Sequence, residues 1–157
     1  MNYRPGLGEL LRYVTELVDN GSDEAYRIRG ISCRPRYTPV LRAIKSGAKT
    51  VNEITNTLHF TQGAISQTVS LMEKDGIIVR NKLSDGRSAA LVLTTSGTEL
   101  LRQLEQHWDA IFKSIDALEA DVGLPVIRTL EKLAQELERI PFSERIIAVS
   151  DAGVENT

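Results

Sequence analysis

The residues best equipped for chemistry fall in two short stretches. The first comprises Thr61, Gln62, Gly63, Ser66, Gln67, Ser70 and Lys74, hydroxyls, amides and one cation recurring at spacings of three and four. The second comprises Arg80, Lys82, Asp85 and Arg87, three cations and one acid. Neither set places a nucleophile beside a base and an orienting group, so covalent catalysis is not what they offer. They offer hydrogen bonding and ion pairing. Their side chains donate and accept, a glycine lets backbone approach closely, and guanidinium groups match the oxygens of phosphate or carboxylate.

The charge of the whole chain points the same way. Its 157 residues carry a formal net charge of −2, but unevenly. Between Arg27 and Leu93 stand eleven basic residues against only Glu53, Glu73, Asp75 and Asp85, a net +7, whereas the flanks hold eight basic and 17 acidic residues, a net −9. A basic middle between acidic ends is the footprint of a polyanion-binding module on solvated arms; the competing reading is a chance clustering of surface charge.

Other chemistries find no support in the sequence. His59 and His107 have no cysteine or carboxylate at metal-ligand spacing around them, so neither a metal nor a cofactor is expected. Ser46-Gly47-Ala48-Lys49-Thr50 lacks the glycine before lysine and the upstream glycine of a phosphate loop. The lone cysteine, Cys33, cannot form an internal disulfide, which fits a reducing compartment. No apolar run approaches the roughly 20 residues that cross a bilayer, and MNYRPGLGEL lacks the apolar centre of a signal peptide. A protein of the cytoplasm, not an enzyme and without a membrane partner, is the expectation.

Positioning the two stretches falls to a succession of helices. Leu7, Leu10, Leu11, Val14, Leu17, Val18, Gly21, Ala25 and Ile28 predict an amphipathic helix over 7–29, or two if Asn20-Gly21-Ser22 breaks it. Proline is welcome only in a helix's first turn, so a second helix starts between Pro35 and Pro39 and ends near Ser46-Gly47. Thr50-Val51-Asn52-Glu53 has the form of a capping box and opens a third, to about Leu58. Thr61 caps a fourth, with Ile65, Val69 and Met72 on its apolar face and Gly76 as its stop. Two strands, Ile77 to Arg80 and Ala89 to Leu93, flank a polar hairpin with Asp85-Gly86 at its tip. A long helix then opens at Thr94-Thr95-Ser96-Gly97, is interrupted at Gly123-Leu124-Pro125, and resumes through Ile127, Leu130, Leu133, Leu137 and Ile140. Pro141 reads as its stop, and the tail from Ala148 as frayed.

Helix, short strand, two helices and a hairpin form the arrangement of a winged helix-turn-helix. The expected fold is mostly α with a small β-hairpin wing: a single domain over 1–157, its lobe at 35–93 flanked by helices at 7–29 and 98–141. Those flanking helices carry more apolar stripe than one small chain can cover, so Leu10, Leu11, Val14, Leu17, Ile127, Leu130, Leu133 and Leu137 are read as an interface with a second copy.

At this point the sequence resembles the MarR family of bacterial transcriptional regulators. The resemblance rests on Val69, Met72, Glu73, Gly76, Ile77 and Ile78 at the close of the fourth helix, Asp85 and Arg87 in the wing, and Leu93, Thr94 and Gly97 at the next helix start. It covers residues 49 to 97, and the flanking helices by pattern only. It implies a homodimer bound to palindromic double-stranded DNA, a repressor released by a small-molecule effector or an oxidant. The run from Arg34 to Arg42 is similar to a branch fused to an acetyltransferase, which here would be a separate partner.

In a helix-turn-helix the second helix lies in the major groove with its N-terminal residues near base edges. Carried over from the motif, Ser66 and Gln67 stand at base-contacting positions, while Thr61 and Ser70 hold phosphates with the helix N-terminus. Arg87 at the wing tip enters the minor groove, oriented by Asp85, and Arg80 and Lys82 meet phosphates. Arg34, Arg36 and Arg42 either reach phosphates or pair with acids on the arms. One branch of the family senses peroxides through a lone cysteine supported by tyrosines; Cys33 has Tyr26 and Tyr37 near it, and Arg34 could lower its thiol pKa, against the ordinary reading of a buried cysteine. The alternative to DNA binding is a winged-helix scaffold for proteins, for which +7 around the motif would be unneeded.

Overall fold

The chain follows its helix start and stop signals closely. A computed structural model describes residues 3–84, 86 and 88–154, without the side chains of 152–154. Helix α1 (Leu7–Ile28) runs unbroken through Gly21. Pro35–Tyr37 makes a single 3-10 turn that leads directly into α2 (Thr38–Lys45), so both prolines sit where no helical N–H is missed. Helix α3 (Val51–Thr57) is capped by the Thr50 hydroxyl, which accepts from Glu53 N at 3.2 Å, while the Glu53 carboxylate reaches past the expected position to Lys49 N. Helix α4 (Gln62–Lys74) is capped by Thr61, whose hydroxyl accepts from Ala64 N at 3.2 Å. It ends where Gly76 turns at φ +71°, with Gly76 N bonded to Glu73 O and Ile77 N to Met72 O.

Strands β1 (Ile78–Lys82) and β2 (Ala89–Leu93) pair antiparallel, Ile78 opposite Leu93 and Lys82 opposite Ala89. The first strand starts and ends later than the spacing predicted, because Ile77 is consumed in closing α4. The short strand of the expected order is absent among the described residues; in its place Lys49 O takes one hydrogen bond, from Leu91 N at 2.7 Å. Beyond β2 come α5 (Thr95–Val122), α6 (Val126–Arg139) and α7 (Phe142–Val154).

Contacts divide the chain into two compact units, Met1–Trp108 and Asp109–Thr157. The first has a core of Tyr37, Val40, Leu41, Ile54, Val69, Met72, Ile78 and Leu104, each at most 1% exposed. Burial of that size, about 1.5–3 kcal/mol per large side chain, holds the lobe together. Within this unit the buried residue of α1 is Tyr26, near its end, whose hydroxyl lies 2.9 Å from that of Thr38.

The second unit corrects the expectation of a frayed tail. Pro141 ends α6 but also starts α7, since a proline at a helix's edge costs no hydrogen bond. Arg145 folds back to donate to Glu136 O at 2.8 Å and Ile140 O at 3.2 Å, satisfying the last carbonyls of α6. At the other end of α6, where Pro125 has no capping side chain, the Glu119 carboxylate accepts from Ile127 N at 2.8 Å.

Candidate nucleic-acid interface

Helix α4 separates its two faces cleanly. Ile65, Thr68, Val69 and Met72 are buried, while Gln62, Gly63, Gln67, Ser70 and Lys74 are exposed and Ser66 is half-buried. The Thr61 cap leaves the first-turn N–H groups of Gln62 and Gly63 directed outward at the positive end of the helix. Gln62 also donates its amide N–H to Asn52 Oδ1 at 3.1 Å, tying the start of α4 to α3.

The helix is braced from behind by residues that spacing alone could not place. The buried Thr68 hydroxyl accepts from Arg36 Nε and Nη2 at 3.2 and 3.1 Å and donates to Ala64 O at 3.0 Å. At the other end the Asp75 carboxylate accepts from the Tyr37 hydroxyl at 2.7 Å and from Arg34 Nε at 3.3 Å. The Tyr37 hydroxyl first, and the Arg34 guanidinium after it, hold the Asp75 carboxyl below its usual range. Burial, with that carboxylate alongside, pushes the Tyr37 hydroxyl up to about 12. Arg34 thus pairs with an acid at the end of α4, Arg36 with a hydroxyl on α4, and Arg42 lies 5.8 Å from the Trp108 ring. For Arg34 and Arg36, pairing with acids on the arms is not what the fold provides.

On the hairpin, Arg80 and Lys82 are exposed. Arg80 reaches back to α4, donating to Glu73 Oε2 and to Ser70 Oγ, both at 3.2 Å. Glu73 therefore stands on the same polar face as Ser70 and Lys74, an acid that the reading of that face left out. Gly86 adopts φ +68° at the turn, as a hairpin tip requires. Asp85 and Arg87 lie outside the described residues.

A cavity of about 910 Å³ opens between the end of α1, the segment before α2, the end of α4 and the start of α5, lined among others by Tyr26, Cys33, Arg34, Tyr37, Asp75 and Leu100. Cys33 donates its S–H to Arg34 O at 3.3 Å, and burial pushes its thiol up to about 12. The expected lowering by Arg34 is thus reversed, since desolvation of the thiolate dominates. Among the described residues no group of three or more His, Cys, Asp or Glu is placed to hold a metal ion. No described helix is long and apolar enough to cross a membrane.

Two capped helices, the second presenting a polar face, followed by a hairpin that folds its arginine onto that face, define a winged helix-turn-helix. Residues 34–88, about a third of the chain, match the sequence model of the MarR family. No curated protein sequence matches it. Among solved structures, the Mycobacterium tuberculosis transcriptional regulator MOSR in complex with DNA superposes with a TM-score of 0.71 at 19% identity, over 88% of this chain and 100% of that one. The Staphylococcus aureus MepR–DNA complex gives 0.64 at 20% identity over 85% and 99%. A MarR/EmrR family regulator from Acinetobacter sp. ADP1 gives 0.60 at 23% identity over 83% and 94%. At these identities the likeness is one of fold.

Proposed function

We propose that this chain is a double-stranded-DNA-binding transcriptional regulator that acts as a homodimer, represses from a palindromic operator, and is released by a small-molecule effector. One observation carries the reading: the exposed face of α4, with its positive N-terminus, stands beside a hairpin bearing exposed Arg80 and Lys82 in a segment of net +7. Ser66 and Gln67 read bases, Thr61, Gly63, Ser70, Lys74, Arg80 and Lys82 meet the backbone, and Gln62 does either from its bond to Asn52. Asp85 and Arg87 are carried over from the family's wing. The solved relatives MOSR and MepR were captured on DNA, and a third, CouR, a transcriptional repressor, on a 23-mer duplex, which supports the same assignment here.

The dimer reading is supported by apolar side chains left in solvent. On α1, Leu10, Leu11, Val14 and Leu17 are 37–54% exposed, and on α6, Ile127 and Leu130 are 47% and 39% exposed, with Leu133 and Leu137 half-buried. Stripes of this kind on a monomer mark an interface. The cavity beside Asp75 is the place for an effector, because an occupant there touches the groups that fix the end of α4.

The test is binding to duplex DNA from upstream of the chain's own gene, by anisotropy across a salt series, with random duplex as control. Binding at about 10⁻⁸ M or tighter, at least about 10³-fold over random DNA and steeply salt-dependent, is the expected result. No binding to any duplex at low salt would return the reading to a protein scaffold.

A further inference from the structure

An acid on a surface meant for phosphates calls for an explanation. Ser70 and Glu73 lie three residues apart and so share the exposed face of α4. By electrostatics alone the Glu73 carboxylate weakens attraction to any polyanion. Its Oε2 is, however, 3.2 Å from Arg80 Nε, and the same guanidinium donates Nη2 to Ser70 Oγ at 3.2 Å. Strand alternation sets this up: buried Ile78 faces the core against α4, and Arg80, two residues on, emerges on the same side. A long side chain that would otherwise sample many rotamers is fixed at two atoms, and none of the described residues bonds its Nη1 edge, which can donate to a further acceptor.

We infer that Glu73 is a positioning residue, which holds the Arg80 guanidinium against α4 so that its open edge meets a DNA phosphate beside the recognition helix. The inference rests on the DNA-binding reading above and adds to it a role for an acid. It predicts a sign opposite to simple electrostatics. Removing the negative charge of Glu73 weakens DNA binding, because the ordering of Arg80 must then be achieved on association, at about 0.5–1.5 kcal/mol, or two- to twelvefold, for an immobilised side chain. The effect passes entirely through Arg80.

The experiment compares the full-length wild type, Glu73→Gln, Arg80→Gln and the double variant on a random-sequence duplex of about 25 base pairs, which spans two half-sites. Affinity is read by anisotropy across a salt series, and each variant's thermal melt is recorded first. Glu73→Gln is expected to bind about two- to twelvefold more weakly for each protomer engaged, with an unchanged melt. Arg80→Gln is expected to lower the salt slope by about 1.8, one phosphate at each of the two half-sites, and Glu73→Gln to have no further effect in that background. Tighter binding by Glu73→Gln, an equal loss with and without Arg80, or an Arg80→Gln variant that binds as wild type overturns the inference while leaving DNA binding intact. A wild-type chain that binds no duplex overturns the DNA reading and this inference together.

Discussion

The Cβ that Gly97 lacks would stand 2.0 Å from the backbone carbonyl oxygen of Ile77. That oxygen also accepts from Thr94 N at 3.0 Å, so it is held where a methyl group would have to go. Gly97→Ala is therefore expected to destabilise the fold by at least about 2 kcal/mol, the upper range of overpacking, because backbone rather than a flexible side chain must move. Urea unfolding checks it, with Gly63→Ala as control, since nothing lies within 4 Å of a Cβ there. Equal midpoints for the two variants would show that α5 can lift off Ile77 freely.

Asp75 joins Tyr37 and Arg34 to the end of α4, and its carboxyl is held below the ordinary 3.8. A group whose folded pKa is depressed stabilises the fold fully above its unfolded value and stops doing so as pH falls through its folded one. Asp75→Asn is expected to lower the melting temperature at neutral pH, and the gap between variant and wild type to shrink only below 3.8. A gap that closes near neutrality would assign the effect to another group.

Cys33 is expected to be inert. With its thiol pushed up to about 12, the thiolate fraction at pH 8 is about one part in 10⁴. Disulfide-exchange reagents should label it far more slowly in the folded chain than in urea, and wild type and Cys33→Ser should keep DNA equally under peroxide. Selective release of the wild type by peroxide would restore a sensing role.

Paired charges on α6 test the second copy. Leu133→Glu with Leu137→Glu is expected to yield monomers or insoluble protein by size exclusion with light scattering. A normal dimer would remove α6 from the interface.

Gln67→Ala is expected to relax base preference at one position per half-site, by about 1–3 kcal/mol, in competition binding. Uniform weakening across sequences would make Gln67 a backbone contact. Arg87→Ala, in the wing, is expected to weaken binding and flatten its salt dependence.

What could be read from spacing was local. Thr50, Thr61 and Gly76 announce helix ends because capping acts within four residues, and Ile65, Val69 and Met72 announce a buried face because they repeat at helical period. Contacts between distant segments were not readable: nothing in the spacing of Arg36 and Thr68, 32 residues apart, or of Arg34 and Asp75, 41 apart, indicates that they meet. Helix α7 was missed for a different reason. Pro141 reads as an end but is equally a beginning, and Phe142, Ile146, Ile147 and Val149 carry a helical period beyond it. Glu73 was counted as a charge in the segment but not placed on the face of α4, where only its partner from the hairpin explains it.

Thr94 has a consequence for how the lobe can respond to anything that binds it. Its hydroxyl donates at 2.6 Å to Gly76 O, the close of α4, and accepts at 3.0 Å from Gly97 N, the opening of α5, while its own N–H holds Ile77 O. One residue thus locks three elements at a point, and Arg80 spans the other side from hairpin to helix. The gap between α4 and β1 is that of a caliper with its screw tightened. Whatever displaces α4 must therefore carry the hairpin and the start of α5 with it.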